Sequence, residues 1–462
     1  MTPTQIAAEL CARVGLNDTA PLTVTGAEPI LPSSFRVDAA AAASIGAAAL
    51  AAEAIWRHRT NTGQGVSIDL RHAAAEFRSE RYLRIADTPP KDPWDPIAGA
   101  YPTQDGWVRL HTNFPHHRDG ILKLLNCANT REDVAAALRR WKAEAFETAA
   151  FKANMCVSAY RSLAQWDAHP HAEALAGLPP LRLERINNAP PRPFTPNPSR
   201  PLAGIRVLDL TRVIAGPVAT RTLAAHGADV LTVASPNVPN LPTLIADTGR
   251  GKRACAIDLE TEQGRAALRT LVEQTDIFVQ SYRPGALARH GFGPAQVAAM
   301  NPGITVATLS AYGESGPPTS ESWAGKRGFD SLVQTSTGLN HAEAEAANTA
   351  TPKPLPCQAL DHASGYLLAL AAMAARLRQS KEGGSWKVSV SLATTATWLR
   401  SLGRIDAIAA PDPGFDTIAD LLDPSSFGQT PTQAIRHAAH LSETPPHWSR
   451  GASALGADQP TW

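Results

Sequence analysis

The sequence contains few cysteines, almost no net charge and only one long apolar run. Its five cysteines among 462 residues are scattered, odd in number and never in CxxC spacing. This usage argues against a disulfide framework or a zinc site and favours a reduced, cytoplasmic setting. The formal net charge of +1 gives no reason to expect binding to nucleic acid or to an acidic membrane surface.

The most apolar run, Ala39–Ile55, is mostly alanine and contains Glu53. We expect it to be too short and too weakly apolar to span a membrane. The first residues also lack the basic and then apolar plan of a secretory signal. The sequence therefore predicts a soluble cytoplasmic protein with no membrane partner.

Several common binding motifs are missing as well. The chain has no GxGxxG turn and no Walker lysine motif, and its histidine pairs lack carboxylates at metal-ligand spacing. We therefore expect no metal site and no conventional dinucleotide-binding turn. The histidines concerned are His116-His117 and His169–His171, for which core or surface roles are more common.

One segment of the chain occurs twice. In each copy an aspartate opens an apolar helix, a basic turn with glycine follows, and a short alternating strand ends in leucine. The first copy begins at Asp38 and ends at Leu70, and the second begins at Asp361 and ends at Leu392. Two copies separated by about three hundred residues indicate duplication and fusion rather than a solenoid.

Composition divides the rest of the chain. Asn187–Arg200 is dense in proline, which enforces extended, unpaired backbone and marks a linker. In the segment before this linker, the turn signal Asp105-Gly106 predicts a hairpin, and helical patterns follow the hairpin. We predict an N-terminal partial repeat over residues 1–86, a small α+β domain over 87–186, a linker over 187–200, an α/β domain over 201–400, and a tail over 401–462 that packs back on the α/β domain.

Beyond the linker, strands and helices alternate. Ile205–Leu210, Asp229–Val233, Ile277–Val279 and Ile304–Leu309 read as strands with helical patterns between them. This order is typical of an open, mostly parallel, Rossmann-like sheet with helices on both faces. Ligands of such sheets bind beyond the carboxyl ends of the strands, so we look for chemistry in the loops there.

Three of these loops carry cations. Thr211–Pro217 starts a helix with small residues, Asp247–Arg253 combines two glycines with three cations, and Ser281–Gly285 places a tyrosine beside an arginine. Helix N-termini and the paired N–H donors of arginine bind anions, although most clusters of basic residues simply lie on the solvated surface. Together the loops indicate a phosphorylated carrier such as coenzyme A.

At this point the sequence resembles the class III CoA-transferases, which include formyl-CoA and carnitine CoA-transferases and the methylacyl-CoA racemases. The resemblance is strongest from Pro201 to Leu392 and rests on six motifs in a fixed order. These are PLAGIRVLDLTRVIAGP, DTGRGKRACAIDL, YRPGALARHGFGP, LSAYGESGP, RGFDSLVQTSTGL and ALDHASGYLLAL.

The resemblance implies that Asp361 is the nucleophile. In such enzymes the aspartate attacks the thioester carbonyl, and a helix N-terminus would lower its pKa and keep it ionised. Judged on the residues alone, a helix N-cap is the more common role for such an aspartate. The residues expected to bind coenzyme A by the same resemblance are Arg212, Ala215, Arg250, Lys252, Arg253, Tyr282, Arg283 and Arg289.

The leading hypothesis is a cytoplasmic CoA-transferase of the formyl-CoA transferase type, with an acyl-CoA and a carboxylic acid as substrates and a homodimeric assembly. An acyl-CoA racemase or isomerase is the first alternative, but Phe329 stands where the racemase histidine would be, which leaves His362 as the other base. A CoA-binding subunit without catalysis is the second alternative. Asp38 has no α/β half before it, so we expect a structural relic that caps its helix.

Overall fold

The computed structural model describes residues 1–90, 94–318 and 322–462. Its helices are α1 (Pro3–Arg13), α2 (Val37–Thr60), α3 (Leu70–Glu76), α4 (Ser79–Tyr82), α5 (Pro115–Leu125), α6 (Arg131–Leu138), α7 (Ala143–Lys152), α8 (Leu163–Asp167), α9 (Pro170–Leu175), α10 (Ala215–Ala225), α11 (Pro242–Thr248), α12 (Glu262–Val272), α13 (Pro294–Met300), α14 (Asp330–Ser336), α15 (Leu339–Ala346), α16 (Ala359–Glu382) and α17 (Leu392–Ser401).

The strands are β1 (Leu22–Thr25), β2 (Val66–Asp69), β3 (Arg84–Ile85), β4 (Gly99–Pro102), β5 (Trp107–Leu110), β6 (Val157–Ala159), β7 (Leu181–Asn187), β8 (Arg206–Leu210), β9 (Asp229–Ala234), β10 (Lys252–Ala256), β11 (Ile277–Gln280), β12 (Thr305–Ser310), β13 (Ser385–Ser391), β14 (Leu422–Phe427), β15 (Thr430–Ile435) and β16 (Ala439–Leu441).

The largest sheet has seven strands in the order β10-β9-β8-β11-β12-β13-β7. Its strands run parallel except β7, which pairs antiparallel with β13. The chain moves from β8 outward to β9 and β10, and then returns to β11 on the other side of β8. The order therefore reverses between β8 and β11, where open α/β sheets place their ligands.

Both faces of this sheet are covered, as the apolar runs predict. Successive side chains of β8 point to opposite faces: Val207 joins the core under α10 and α16, whereas Leu208 joins the core under α12 and α13. The predicted α/β class, with a mostly parallel sheet and smaller elements beside it, is confirmed.

The two copies of the repeat pack against each other. Helix α2 lies against α16, and each is followed by a strand, β2 or β13, that leads directly into another helix. The small sheet β1-β2-β16 repeats the pairing of β12-β13-β7, one parallel neighbour and one antiparallel neighbour. The duplication therefore extends to the sheet edge around each copy.

Each copy borrows its antiparallel strand from the other. Strand β7 follows the first copy in the chain but pairs with β13 of the second, and β16 follows the second copy but pairs with β2 of the first. The two copies are thus interlocked within one chain, as two subunits would be in an exchanged dimer.

The small domain contains the sheet β4-β5-β6 and helices α5, α6 and α7 around its own apolar core. Its hairpin joins β4 to β5 through residues 103–106, where the Asp105-Gly106 signal predicted a turn.

Two boundaries differ from the prediction. Leu181–Asn187 was assigned to the small domain, with Asn187 beginning the linker, but it forms the edge strand β7 of the large sheet. The tail also packs on more than the α/β domain, because β15 pairs with β3 and β16 pairs with β2. A largely polar edge strand such as β7 gives no sequence signal of the sheet it joins.

The alanine-rich run is longer than expected. Helix α2 spans 24 residues with a mean hydropathy of 1.5 in its most apolar window, so by length and composition it could cross a membrane. In this fold 94% of that window is buried inside the protein, which makes it a core helix. Alanine lets α2, α1 and α16 approach closely because each methyl occupies little space.

Candidate active site

Asp361 lies in the first turn of α16, as its third residue. It is not the N-cap, which is Gln358. Gly365 follows one turn later, and a Cβ there would lie 2.6 Å from the carbonyl oxygen of Ala215. The glycine therefore lets α16 approach the start of α10, which brings Asp361 beside the loop that follows β8.

Asp361 lies where two spaces meet. A groove of about 930 Å³ and a cavity of about 360 Å³ share Asp361, Val213, Ile214 and Phe329 as lining residues. The groove follows the strand ends of the large sheet, and the cavity extends towards α4 and the small domain. One carboxyl group can thus reach a ligand from either side.

The surroundings of Asp361 disfavour its ionised form. Burial raises its pKa well above the ordinary value, and the carboxylates of Asp330 and Glu80 raise it further. No described residue donates a hydrogen bond to this carboxyl, although Asp361 is only 7% exposed. The expectation that the helix N-terminus lowers this pKa is wrong, because desolvation and like charge outweigh the helix dipole here.

Asp330 holds the start of α16 in place. Its Oδ2 accepts the backbone N–H of Asp361 at 2.9 Å, and its other oxygen accepts a hydrogen bond from the Gln334 amide. Burial raises the pKa of Asp330 to about 6. Asp330 and Asp361 are therefore two neighbouring acids that cannot both ionise easily.

Glu80 comes from α4 of the N-terminal unit and faces the same cavity. Its Oε2 lies 3.0 Å from His362 Nε2. Burial alone would raise the pKa of Glu80, but the His362 hydrogen bond and charge hold it below the ordinary value. Glu80 therefore stays ionised near Asp361.

The loop after β8 supplies the wall between groove and cavity. Arg212 lies over the Phe114 ring at 5.2 Å, and Ala215 begins α10 beside the groove. Val213 between them has φ 72°, in the left-handed region that β-branched residues rarely adopt. Such strain, about 1–3 kcal/mol, persists where the surroundings impose it, often at functional sites.

The third predicted loop also reaches the groove. Tyr282, Arg283 and Arg289 line it, with Arg283 Nη1 donating to Asn154 Oδ1 at 3.2 Å. Arg289 pairs with the exposed Glu260 at 3.3 Å. Together with Arg212, these residues form a cationic wall at the point where the strand order reverses.

The second predicted loop does not join this wall, but its residues Gly249 and Lys252 line a neighbouring pocket of about 60 Å³ together with Arg212. Its three cations, Arg250, Lys252 and Arg253, line neither the groove nor the cavity beside Asp361.

Each of them is bound elsewhere. Arg250 is buried, bonded to Asp247 at 2.8 Å and stacked on Trp448 at 4.0 Å. Lys252 Nζ bonds Asp209 Oδ2 at 3.0 Å.

Arg253 is also engaged within the chain. It pairs with Asp229 at 3.0 Å and donates to the Thr461 carbonyl of the C-terminal tail. The tail contacts this loop, and partners within the chain, buried for Arg250 and Lys252 and exposed for Arg253, engage cations that the sequence presented as free.

Arg327 was not predicted as a binding residue, yet it lines the groove. Its Nε is buried without a hydrogen-bond partner among the described residues, so the guanidinium retains an unused donor. A signal was present, since Arg327 opens the motif RGFDSLVQTSTGL.

Two of the residues that bear on a racemase, Phe329 and His111, line the cavity beside Asp361, and the third, His362, does not. Phe329 stacks on His111 with ring centroids 3.7 Å apart. Burial, followed by the nearby His117 and Arg109, lowers the pKa of His111 to about 3, so His111 is neutral. His362 is fully buried against Glu80 and lines neither space.

Asp38 has a different environment from Asp361. It is the second residue of α2, and its carboxylate accepts the backbone N–H groups of Ile30 at 2.6 Å and Leu31 at 3.2 Å. The cap of α2 is Arg36, so the predicted capping role is wrong. The loop before α2 occupies the position beside Asp38 that an open groove has beside Asp361.

Among the described residues, no group of three or more histidines, cysteines or carboxylates could hold a metal ion. The groove instead offers arginines, a tyrosine and a helix start, which suit phosphates and a nucleotide ring.

Comparison with known proteins agrees with these features. The family model described as CoA-transferase family III matches residues 10–190 and 202–458. The chain is 30% identical over 284 residues to a probable fatty acyl-CoA transferase of Mycobacterium tuberculosis, covering 57% of this chain and 70% of that protein.

A second relative is the succinyl-CoA:glutarate CoA-transferase of Mus musculus, 31% identical over 154 residues, which are 31% of this chain and 34% of that protein. Among solved structures, a hypothetical protein from Mycobacterium tuberculosis is 33% identical, with a TM-score of 0.38, over 44% of this chain and 59% of that one. The family match covers nearly the whole chain on both sides of the proline-rich linker, and the chain therefore belongs to CoA-transferase family III.

Proposed function

We propose that the protein moves coenzyme A between an acyl-CoA and a carboxylic acid, with Asp361 as the nucleophile. One observation carries this proposal. The carboxyl of Asp361 lines both a cationic groove suited to coenzyme A and a cavity of about 360 Å³ on its other side, which is suited to the acyl group. Family membership supports the transferase class.

The reaction would proceed in four displacements. The Asp361 carboxylate attacks the thioester carbonyl, a C–O bond forms, the C–S bond breaks and coenzyme A leaves as thiolate. The thiolate then attacks the aspartyl carbonyl of the mixed anhydride, which gives an aspartyl-CoA thioester and releases the first acid as its carboxylate.

The acceptor carboxylate next attacks the aspartyl-CoA thioester and again releases CoA thiolate. That thiolate attacks the acceptor's carbonyl in the new anhydride, which forms the product acyl-CoA and returns Asp361 as carboxylate. No oxidant or metal is needed, and each bond broken releases its electron pair to the leaving carboxylate or thiolate.

The surrounding residues have separate tasks in this scheme. Arg212, Arg283 and Arg289 would bind the phosphates of coenzyme A at the groove. Burial makes ionisation of Asp361 less favourable, and the desolvated carboxylate that attacks is a stronger nucleophile than one in water. A cytoplasmic setting and a homodimer remain part of the proposal.

The test is a transfer assay with matched variants. Wild type, Asp361→Asn and Asp38→Asn are incubated with a panel of acyl-CoAs and carboxylic acids, and new acyl-CoA is measured by mass spectrometry. We expect transfer by wild type, a loss of about 10³-fold or more for Asp361→Asn, and wild-type rates for Asp38→Asn. Undiminished transfer by a folded Asp361→Asn variant would reject the proposal, and CoA binding without transfer would favour a non-catalytic subunit.

A further inference from the structure

The cavity on the far side of Asp361 carries polar groups that the proposed transfer chemistry does not use. Beyond the acids around Asp361, its described lining includes Arg81, Asn113, Thr243 and Gln358. The rest of that lining is largely apolar or aromatic, including Pro89, Leu241, Leu244 and Phe329. This space therefore suits a ligand that has an apolar part and also carries polar groups for these side chains.

Arg81 is the only cationic side chain among the described residues that line this cavity, because His111 there is neutral. Its side chain is exposed and makes no ion pair or hydrogen bond within the described parts of the chain. Glu80 and Asp412 are close enough to Arg81 to interact with its charge, but each is bonded to another residue: Glu80 to His362 at 3.0 Å, and Asp412 to Arg78. The guanidinium of Arg81 is left with free donors.

The other polar groups are also free to donate. Asn113 uses its Oδ1 to accept the backbone N–H of Asp95 at 3.1 Å, which leaves its amide N–H groups unused. The side chains of Thr243 and Gln358 have no hydrogen-bond partner within the described ranges. A cation and three neutral donors around one cavity match a group that only accepts hydrogen bonds and carries negative charge, which is a carboxylate.

We propose that the cavity selects dicarboxylic acids, and that Arg81 binds the carboxylate that does not react. One carboxyl group of the substrate meets Asp361, and the other meets Arg81, which lines the same cavity. This inference rests on the proposed transfer reaction and adds the substrate class to it. Arg81 is a specificity-determining residue in this account, since it touches the substrate but not the reacting atoms.

The experiment compares two acceptors of equal length, glutarate and pentanoate, with one acyl-CoA donor. The variants are Arg81→Met, Arg81→Lys and, as a control, Arg269→Met on the exposed face of α12, where the arginine side chain also has no partner among the described residues. Wild type should prefer glutarate. Arg81→Met should lower the ratio of kcat/KM for glutarate to that for pentanoate by about 10- to 100-fold, the loss of one charged hydrogen-bond pair.

Arg81→Lys keeps the charge and should restore part of that ratio, and Arg269→Met should leave it unchanged. A ratio unaffected by Arg81→Met, an equal loss with both acceptors, or a wild-type preference for pentanoate would overturn the proposal.

Failure of the transfer reaction itself would look different, because no acceptor would then give product with wild type. In that case calorimetric titration of glutarate and pentanoate into the CoA-loaded protein decides. Glutarate binding that is lost in Arg81→Met supports the carboxylate site, and absence of glutarate binding to wild type rejects it.

Discussion

The acid pair at the start of α16 predicts how activity depends on pH. Asp330, with a pKa of about 6, ionises before Asp361, so Asp361 must lose its proton beside an existing negative charge. The reacting form of Asp361 is the carboxylate. Activity should therefore be present above its raised pKa and should be lost as the pH falls through that value.

Asp330→Asn removes this charge and keeps an oxygen that can accept the Asp361 N–H. A like charge within a few ångströms raises a carboxyl pKa by about 1–3 units. Burial is the larger cause of the Asp361 shift and remains in the variant. We therefore expect the acidic limb of kcat/KM to move down by about 1–2 units, with each unit worth about 1.4 kcal/mol.

The substitution also has a structural cost. In the variant the Asn amide would face the Gln334 amide, or Gln334 would turn and release the Leu355 N–H that its Oε1 now accepts at 2.9 Å. One unmatched buried donor costs about 1–3 kcal/mol. Gln334→Met is a control for this structural cost alone, because it perturbs the same hydrogen bonds but also raises the pKa of Asp330, which the Gln334 donor lowers.

The assay is kcat/KM for an acyl-CoA between pH 4.5 and 8.5, on variants shown to be folded by circular dichroism. If the acidic limb of kcat/KM for Asp330→Asn stays in place or moves to higher pH, then the Asp330 charge does not control the ionisation of Asp361.

Three further predictions concern other parts of the molecule. Asp38→Asn should lower the free energy of unfolding by about 1–3 kcal/mol in urea titrations, because buried N–H groups of the preceding loop lose an acceptor, and the transfer rate should not change. Arg283→Gln should raise KM for the acyl-CoA about tenfold, whereas Arg253→Gln should not, since Arg253 is held by the tail. Lys326→Met should destabilise the protein by about 1–3 kcal/mol, because Glu147 loses a buried partner at 2.7 Å.

Each of these has its own contrary result. Loss of transfer by a folded Asp38→Asn variant would indicate a second working site. If Arg253→Gln raised the KM as much as Arg283→Gln, the second loop would be part of the CoA-binding site. Unchanged urea midpoints for Lys326→Met would mean that the contact between the small domain and the loop before α14 contributes little.

Local patterns in the sequence predicted the large sheet well. The apolar runs of β8 and β11 alternate with helices in a way that only a covered parallel sheet explains, and the loops after these two strands do line the groove. Asp361 was singled out by the resemblance of ALDHASGYLLAL to a family motif, and its nucleophilic role stays a prediction.

What the sequence could not predict depends on contacts between distant segments. Glu80 and Arg81 reach the cavity from the N-terminal unit, and Glu80 meets His362 across 282 positions of sequence. Arg250 and Lys252 looked like phosphate ligands because a sequence displays cations without their partners. Asp247, which pairs with Arg250, lies in the same loop, but Trp448, which covers Arg250, and Asp209, which pairs with Lys252, lie far away in the chain.

The central claim is that Asp361 becomes covalently attached to acyl or CoA groups during turnover, and trapping tests it most directly. Wild type is incubated with an acyl-CoA, treated with hydroxylamine or borohydride, digested and analysed by mass spectrometry. We predict modification at Asp361 that depends on the acyl-CoA, with Asp38 unmodified in the same digest. An unmodified Asp361 in a preparation that transfers coenzyme A, or equal modification of Asp38, would contradict the account.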